Sequence, residues 1–92
     1  MEEKVINVKL SNGLELVIDE AVCDDIYFVE TLAAVQEDAL NYVKVFDMLL
    51  GKDQKLKLYK SLEDEHGRVP IATLNAAFEE IMTKAGEEVK NS

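Results

Sequence analysis

Near the start of the chain, aliphatic and polar residues alternate. Ile6, Val8 and Leu10 precede Ser11-Asn12-Gly13, and Leu14, Leu16 and Ile18 follow it. Period-two alternation around a turn sequence predicts a β-hairpin over residues 4–18. A two-residue Asn-Gly turn would set Leu10 against Glu15 and mix the faces. A three-residue loop, Ser11 to Gly13, pairs Leu10 with Leu14, Val8 with Leu16 and Ile6 with Ile18. It also sets Lys9 opposite Glu15, a favourable cross-strand pair. Gly13 then takes the left-handed conformation of a bulged turn. One face becomes wholly aliphatic and has to pack on helices, because a lone hairpin is marginal in water.

The period then changes to that of a helix. Residues 19–24 read as a connector with room for one helical turn. Asp24 or Asp25 can cap a first long helix over about 25–36. Glu37-Asp38 interrupts it. A second helix spans about 39–50, with Val43, Phe46, Leu49 and Leu50 as its core face, and stops at Gly51 as a left-handed cap. A third spans about 53–65, with His66 in its last turn and Gly67 as its cap. Arg68-Val69 must be extended, because Pro70 clashes with a helical predecessor. Pro70 suits the first position of a fourth helix. Its stripe is Ile71, Leu74, Phe78, Ile81 and Ala85. The helical part runs over 20–86, and the polar tail 87–92 frays. The fold expected is therefore mainly α: one α+β domain over 1–92, of about four helices with an N-terminal β-hairpin.

Composition narrows the classes of function. The chain has 92 residues, enough for one domain, and 48% are hydrophobic, enough for a core. Nineteen acidic residues against ten basic ones leave a formal net charge of −9. Phosphate backbones and anionic lipid surfaces repel such a chain, so neither nucleic acid nor membrane is an expected partner. A basic protein partner suits it. Cys23 is the sole cysteine, so no internal disulfide forms, which fits a reducing cytoplasm. Met1-Glu2-Glu3-Lys4 lacks the basic start of a signal peptide, and no apolar run reaches membrane-spanning length.

The candidate chemistry is sparse. Asp64-Glu65-His66-Gly67-Arg68-Val69 is similar to the middle of a calcium-binding loop. Aligning Gly67 with that loop's glycine puts Leu62 and Thr73 at the first and last ligand positions, and neither serves. His66 has no second histidine or cysteine with which to hold zinc. Cys23 reads as a small buried apolar residue. The neighbouring carboxylates Asp24-Asp25, Glu37-Asp38, Glu79-Glu80 and Glu87-Glu88 read as a solvated face, not as an acid–base pair held across a cleft. No glycine-rich phosphate loop is present. The expected sets of catalytic, cofactor-binding and metal-ligating residues are therefore empty.

Surplus apolar surface is the more informative feature. Ile26, Tyr27, Phe28, Val29, Leu32, Ala33, Ala34 and Val35 surround the whole first helix, and a short bundle cannot bury them all. On the second helix, Leu40 and Met48 lie on the side of Asn41, Lys44 and Asp47. Tyr27, Val35, Leu40 and Met48 lie away from the best inward stripes. They are the candidate residues for binding a partner or for self-association.

One stretch supports a family reading. Leu49-Leu50-Gly51, Leu58-Tyr59, Asp64-Glu65-His66-Gly67-Arg68-Val69-Pro70, Leu74 and Phe78-Glu79-Glu80-Ile81 follow one another in this order. With the opening hairpin, Ser11-Asn12-Gly13 and Ile18-Asp19-Glu20, this pattern resembles the tail assembly chaperones of long-tailed bacteriophages and prophages of Gram-positive bacteria. The resemblance spans roughly residues 5 to 82. It implies a non-enzymatic protein, without cofactor, that binds the tape measure protein during tail morphogenesis and keeps it soluble. It further implies help in recruiting the tail tube protein, action in the host cytoplasm and absence from the finished virion. Many members also exist as a longer frameshifted form. The competing reading is an acidic DNA mimic, or another small phage inhibitor or adaptor that binds a basic protein. Interleaved Lys4, Lys9, Lys44, Lys52, Lys55, Lys57, Lys60 and Arg68 weaken it, because a mimic needs an unbroken acidic face.

Overall fold

A computed structural model describes residues 5–90. Its elements are strands β1 (Val5–Lys9) and β2 (Glu15–Asp19), then helices α1 (Glu20–Cys23), α2 (Ile26–Ala34), α3 (Asn41–Leu62) and α4 (Ile71–Lys90). The fold is a small α+β domain: four helices and an N-terminal antiparallel hairpin.

The hairpin has the register that the three-residue loop requires. Val8 lies opposite Leu16, Ile6 opposite Ile18 and Lys9 opposite Glu15. The Gly13 N–H donates to Leu10 O at 2.9 Å, and the Leu10 N–H to Leu14 O at 2.8 Å. Gly13 has φ 93°, open to glycine without strain. Ile6, Val8, Leu10, Leu16 and Ile18 all face inward and are buried. Lys4, the first residue of the expected hairpin, lies outside the described residues.

Helices cover this aliphatic face, β1 packing on α4 and β2 on α3. Side chains of α3 and α4 hold the hairpin in place, Ser61 of α3 accepting from the Asn12 side-chain amide at 3.2 Å. Gln54 of α3 accepts from the Val17 N–H and donates to the Val17 carbonyl, both at 2.7 Å, replacing the strand that β2 lacks on that edge. Glu80 of α4 accepts from the Ser11 N–H at 2.7 Å. Lys84 donates to the Lys9 carbonyl. An aromatic cluster fills the centre: Phe46 meets Phe78 edge-on at 5.8 Å and Tyr59 at 6.3 Å. Tyr42 stacks beside Phe46, and its hydroxyl donates to Asn75.

The two helices expected over about 39–50 and 53–65 are present as the halves of α3, divided at Gly51 as expected. Several other sequence expectations need correction. Gly51 has φ 79° and ψ 163°, an extended left-handed geometry open essentially to glycine alone, not that of an αL cap. The second half ends at Leu62, because Glu63 turns extended at ψ 139°. His66 is therefore outside the helix, and Gly67 belongs to a turn. There the Asp64 carboxylate accepts from the N–H groups of His66 and Arg68, at 2.8 and 3.0 Å. Gly67 keeps the expected positive φ, 75°. Pro70 stands just before α4, its carbonyl accepting from the Leu74 N–H at 3.1 Å, one place earlier than expected. The α4 helix continues to Lys90, past the expected end of the helical part at 86; residues 91 and 92 of the expected tail lie outside the described residues.

Two core assignments also change. Val43 and Ile71 are exposed, while Tyr42, Val45 and Ala77 are buried in the core. On α3, Phe46, Leu49 and Leu50 of the expected core face are buried, and Tyr42 and Val45 join them in place of Val43.

Candidate functional site

The candidate surface is built on α2 and the start of α3. Asp25 caps α2, its carboxylate accepting from the Tyr27 N–H at 2.9 Å. At the other end the Asn41 side-chain amide donates to the Ala34 carbonyl at 3.1 Å, tying the last turn of α2 to α3. Asp38 closes the intervening turn by accepting from the Leu40 N–H at 3.0 Å. These polar contacts anchor a helix that contributes one buried side chain, Phe28. Leu32 and Val35 pack against the core from partly buried positions.

The remaining large side chains point outward. Ile26 is 62% exposed, Tyr27 71% and Val29 47%; Leu40, just before α3, is 76% exposed and Val43, in its first turn, 46%. Of the four residues singled out in the sequence, the structure leaves Tyr27 and Leu40 on the surface. Val35 and Met48 are partly buried against the core. Sequence reasoning passed over Ile26 and Val29, because apolar residues surround α2 and only Glu30 and Thr31 mark its outward direction. It also placed Val43 inside.

The titratable groups have structural surroundings. Burial raises the Cys23 thiol pKa, and the nearby carboxylates of Glu20 and Asp19 raise it further. Cys23 is thus a poorly ionised thiol packed partly against the core. Burial also raises the Tyr59 pKa, partly opposed by Lys55. Lys55 is the buried charged residue of this region. Its ammonium sits 2.7 Å from Asp47 across the Gly51 bend and 5.9 Å from the centre of the Tyr59 ring. His66 is exposed beside Glu65 at 3.6 Å. Among the described residues, no group of three His, Cys, Asp or Glu side chains could hold a metal ion.

Comparison with family models, curated proteins and solved structures finds no match.

One concavity lies apart from this surface. A shallow hollow of about 190 Å³ opens between the hairpin tip and α4, walled by Leu10, Leu62, Ala76 and Ala77 and rimmed by Ser11 and Glu80. Small side chains on α4 create it, where Ala76 and Ala77 face the tip. On its rim the Glu80 carboxylate already accepts from the Ser11 N–H. No helix of the described residues is long and apolar enough to cross a membrane.

Proposed function

We propose that this chain is a non-enzymatic phage or prophage tail assembly chaperone. It binds the tape measure protein during tail morphogenesis in the host cytoplasm and is absent from the finished virion. The supporting observation is the set of large apolar side chains held outside a core that is already filled. Ile26, Tyr27, Val29, Leu40 and Val43 are exposed, while Phe28, Tyr42, Val45 and Phe46 fill the interior beneath. Scattered single apolar residues on a surface need no explanation. Three on a nine-residue helix, with Leu40 and Val43 at the start of the helix it packs against, make a surface suited to holding an apolar segment. The partner's identity rests on the resemblance of the sequence motifs, in their order, to those of tail assembly chaperones.

Co-expression with a tape measure protein tests the proposal. The parent chain should keep it in the soluble fraction and co-purify with it. A Tyr27→Ser, Leu40→Ser variant should melt like the parent yet lose most of the capture. A parent chain that leaves the tape measure protein aggregated would refute the function. A variant that captures as well as the parent would place the interface elsewhere.

A further inference from the structure

The chain is electrically divided. From Leu10 to Val43 it carries eight carboxylates and no lysine or arginine, whereas Lys44 to Arg68 carries six basic residues and five acidic ones. All of α2 lies in the anionic part. Asp24, Asp25, Glu30, Glu37 and Asp38 are exposed on it or beside it. Ile26, Val29 and Ala33 share one face of α2 at helical spacing, with Tyr27 and Glu30 alongside. Leu40, the residue before α3, and Val43 in its first turn are exposed, followed by exposed Lys44 and Asp47.

We propose that the outer face of α2, with Leu40 and Val43, docks a cationic amphipathic helix of a protein partner. The inference rests on reading the chain as a protein-holding domain and names the chemistry of what is held. An apolar stripe on the incoming helix would be buried against Ile26, Tyr27 and Val29, ridge into groove. Lysines or arginines flanking that stripe would meet the carboxylates around α2. The same field disfavours a second copy placed α2 to α2, because like charges would face each other. Complementarity of this kind sets encounter rate and choice of partner, so salt should weaken the complex.

A fluorescently labelled designed helix provides the probe: leucines on one face, lysines beside them. Controls are the same helix with glutamates in place of the lysines, and a scrambled lysine peptide of identical composition. The lysine helix should bind, more weakly as salt rises, and both controls should bind at least about tenfold less tightly. Glu30→Lys with Glu37→Lys should weaken binding by a similar factor, and so should Ile26→Ser with Val29→Ser. These positions are exposed, and they avoid Asp25 and Asp38, which close backbone turns. Equal binding of the scrambled peptide would reduce the effect to net charge and overturn the proposal. So would equal binding of the glutamate helix, or indifference to both pairs of substitutions. Concentration-dependent dimers abolished by Ile26→Ser with Val29→Ser would give the face to a second copy and likewise overturn it. A chain that captures the tape measure protein yet ignores the lysine helix would sink this inference alone. One that binds the lysine helix through α2 but leaves the tape measure protein aggregated would sink the chaperone function alone.

Discussion

At the scale of single residues, two titratable groups report on their surroundings. The Cys23 thiol is held above its ordinary range by burial and by Glu20 and Asp19. Only the thiolate is nucleophilic, so alkylation by iodoacetamide in the folded chain should be slower than that of a free thiol at mildly alkaline pH. It should accelerate in denaturant. Equal rates in both states would mean that the thiol is open to solvent. Glu80 is displaced the other way. The Ser11 N–H bond stabilises its carboxylate, with a smaller contribution from Lys84, and its pKa is lowered. A lowered folded-state pKa contributes stability that is complete above the unfolded value. That contribution disappears as pH falls through the folded value. Between neutral and acid pH, Glu80→Gln should therefore lose less stability than the parent does. Urea melts at both pH values make the comparison; parallel losses would show that the bond does not hold in solution.

At the scale of elements, glycine conformation decides where the helices break. An added Cβ would meet nothing within 4 Å at Gly51 or Gly67, so the cost of alanine at either is conformational and not steric. Gly51→Ala forces an L-residue into a geometry that costs about 1–3 kcal/mol. Gly67→Ala, at φ 75°, should cost about 1 kcal/mol. Denaturant melts of the two variants should thus rank Gly51→Ala as the less stable. The reverse order would mean that α3 straightens without penalty. The bend matters because it brings Lys55 back onto Asp47 and carries Gln54 to the edge of β2.

At the scale of the molecule, one filled interior supports everything else. Phe46 lies fully buried among Tyr42, Tyr59 and Phe78. Phe46→Ala should cost about 3–5 kcal/mol, a large part of the roughly 5–14 kcal/mol that a domain of this size holds. Tyr27→Ser with Leu40→Ser should instead leave the thermal midpoint nearly unchanged, since surface changes stay within about 0.5 kcal/mol each. Circular dichroism melts separate the two cases. A large loss in the Tyr27–Leu40 variant would show those side chains to be part of the core, removing the argument for a docking face.

The sequence by itself determined whatever depends on neighbours along the chain. Period-two alternation and one face that had to stay aliphatic selected the hairpin register. Gly13, Gly51 and Gly67 marked the backbone positions of positive φ, and Asp24-Asp25 marked a helix start. These are local choices, settled by backbone sterics and the nearest side chains. Only the tertiary structure decided which side of a mostly apolar α2 faces water, that Val43 and Ile71 lie outside while Tyr42 and Val45 lie inside, and that Met48 and Val35 rest against the core. It also decided that Asp64 closes a turn of its own instead of extending α3, and that Gln54 completes the edge of a strand thirty-seven residues away. A helix with hydrophobic residues all round has no preferred orientation of its own. Its outward face is whatever remains after the hairpin, α3 and α4 have filled one another's grooves.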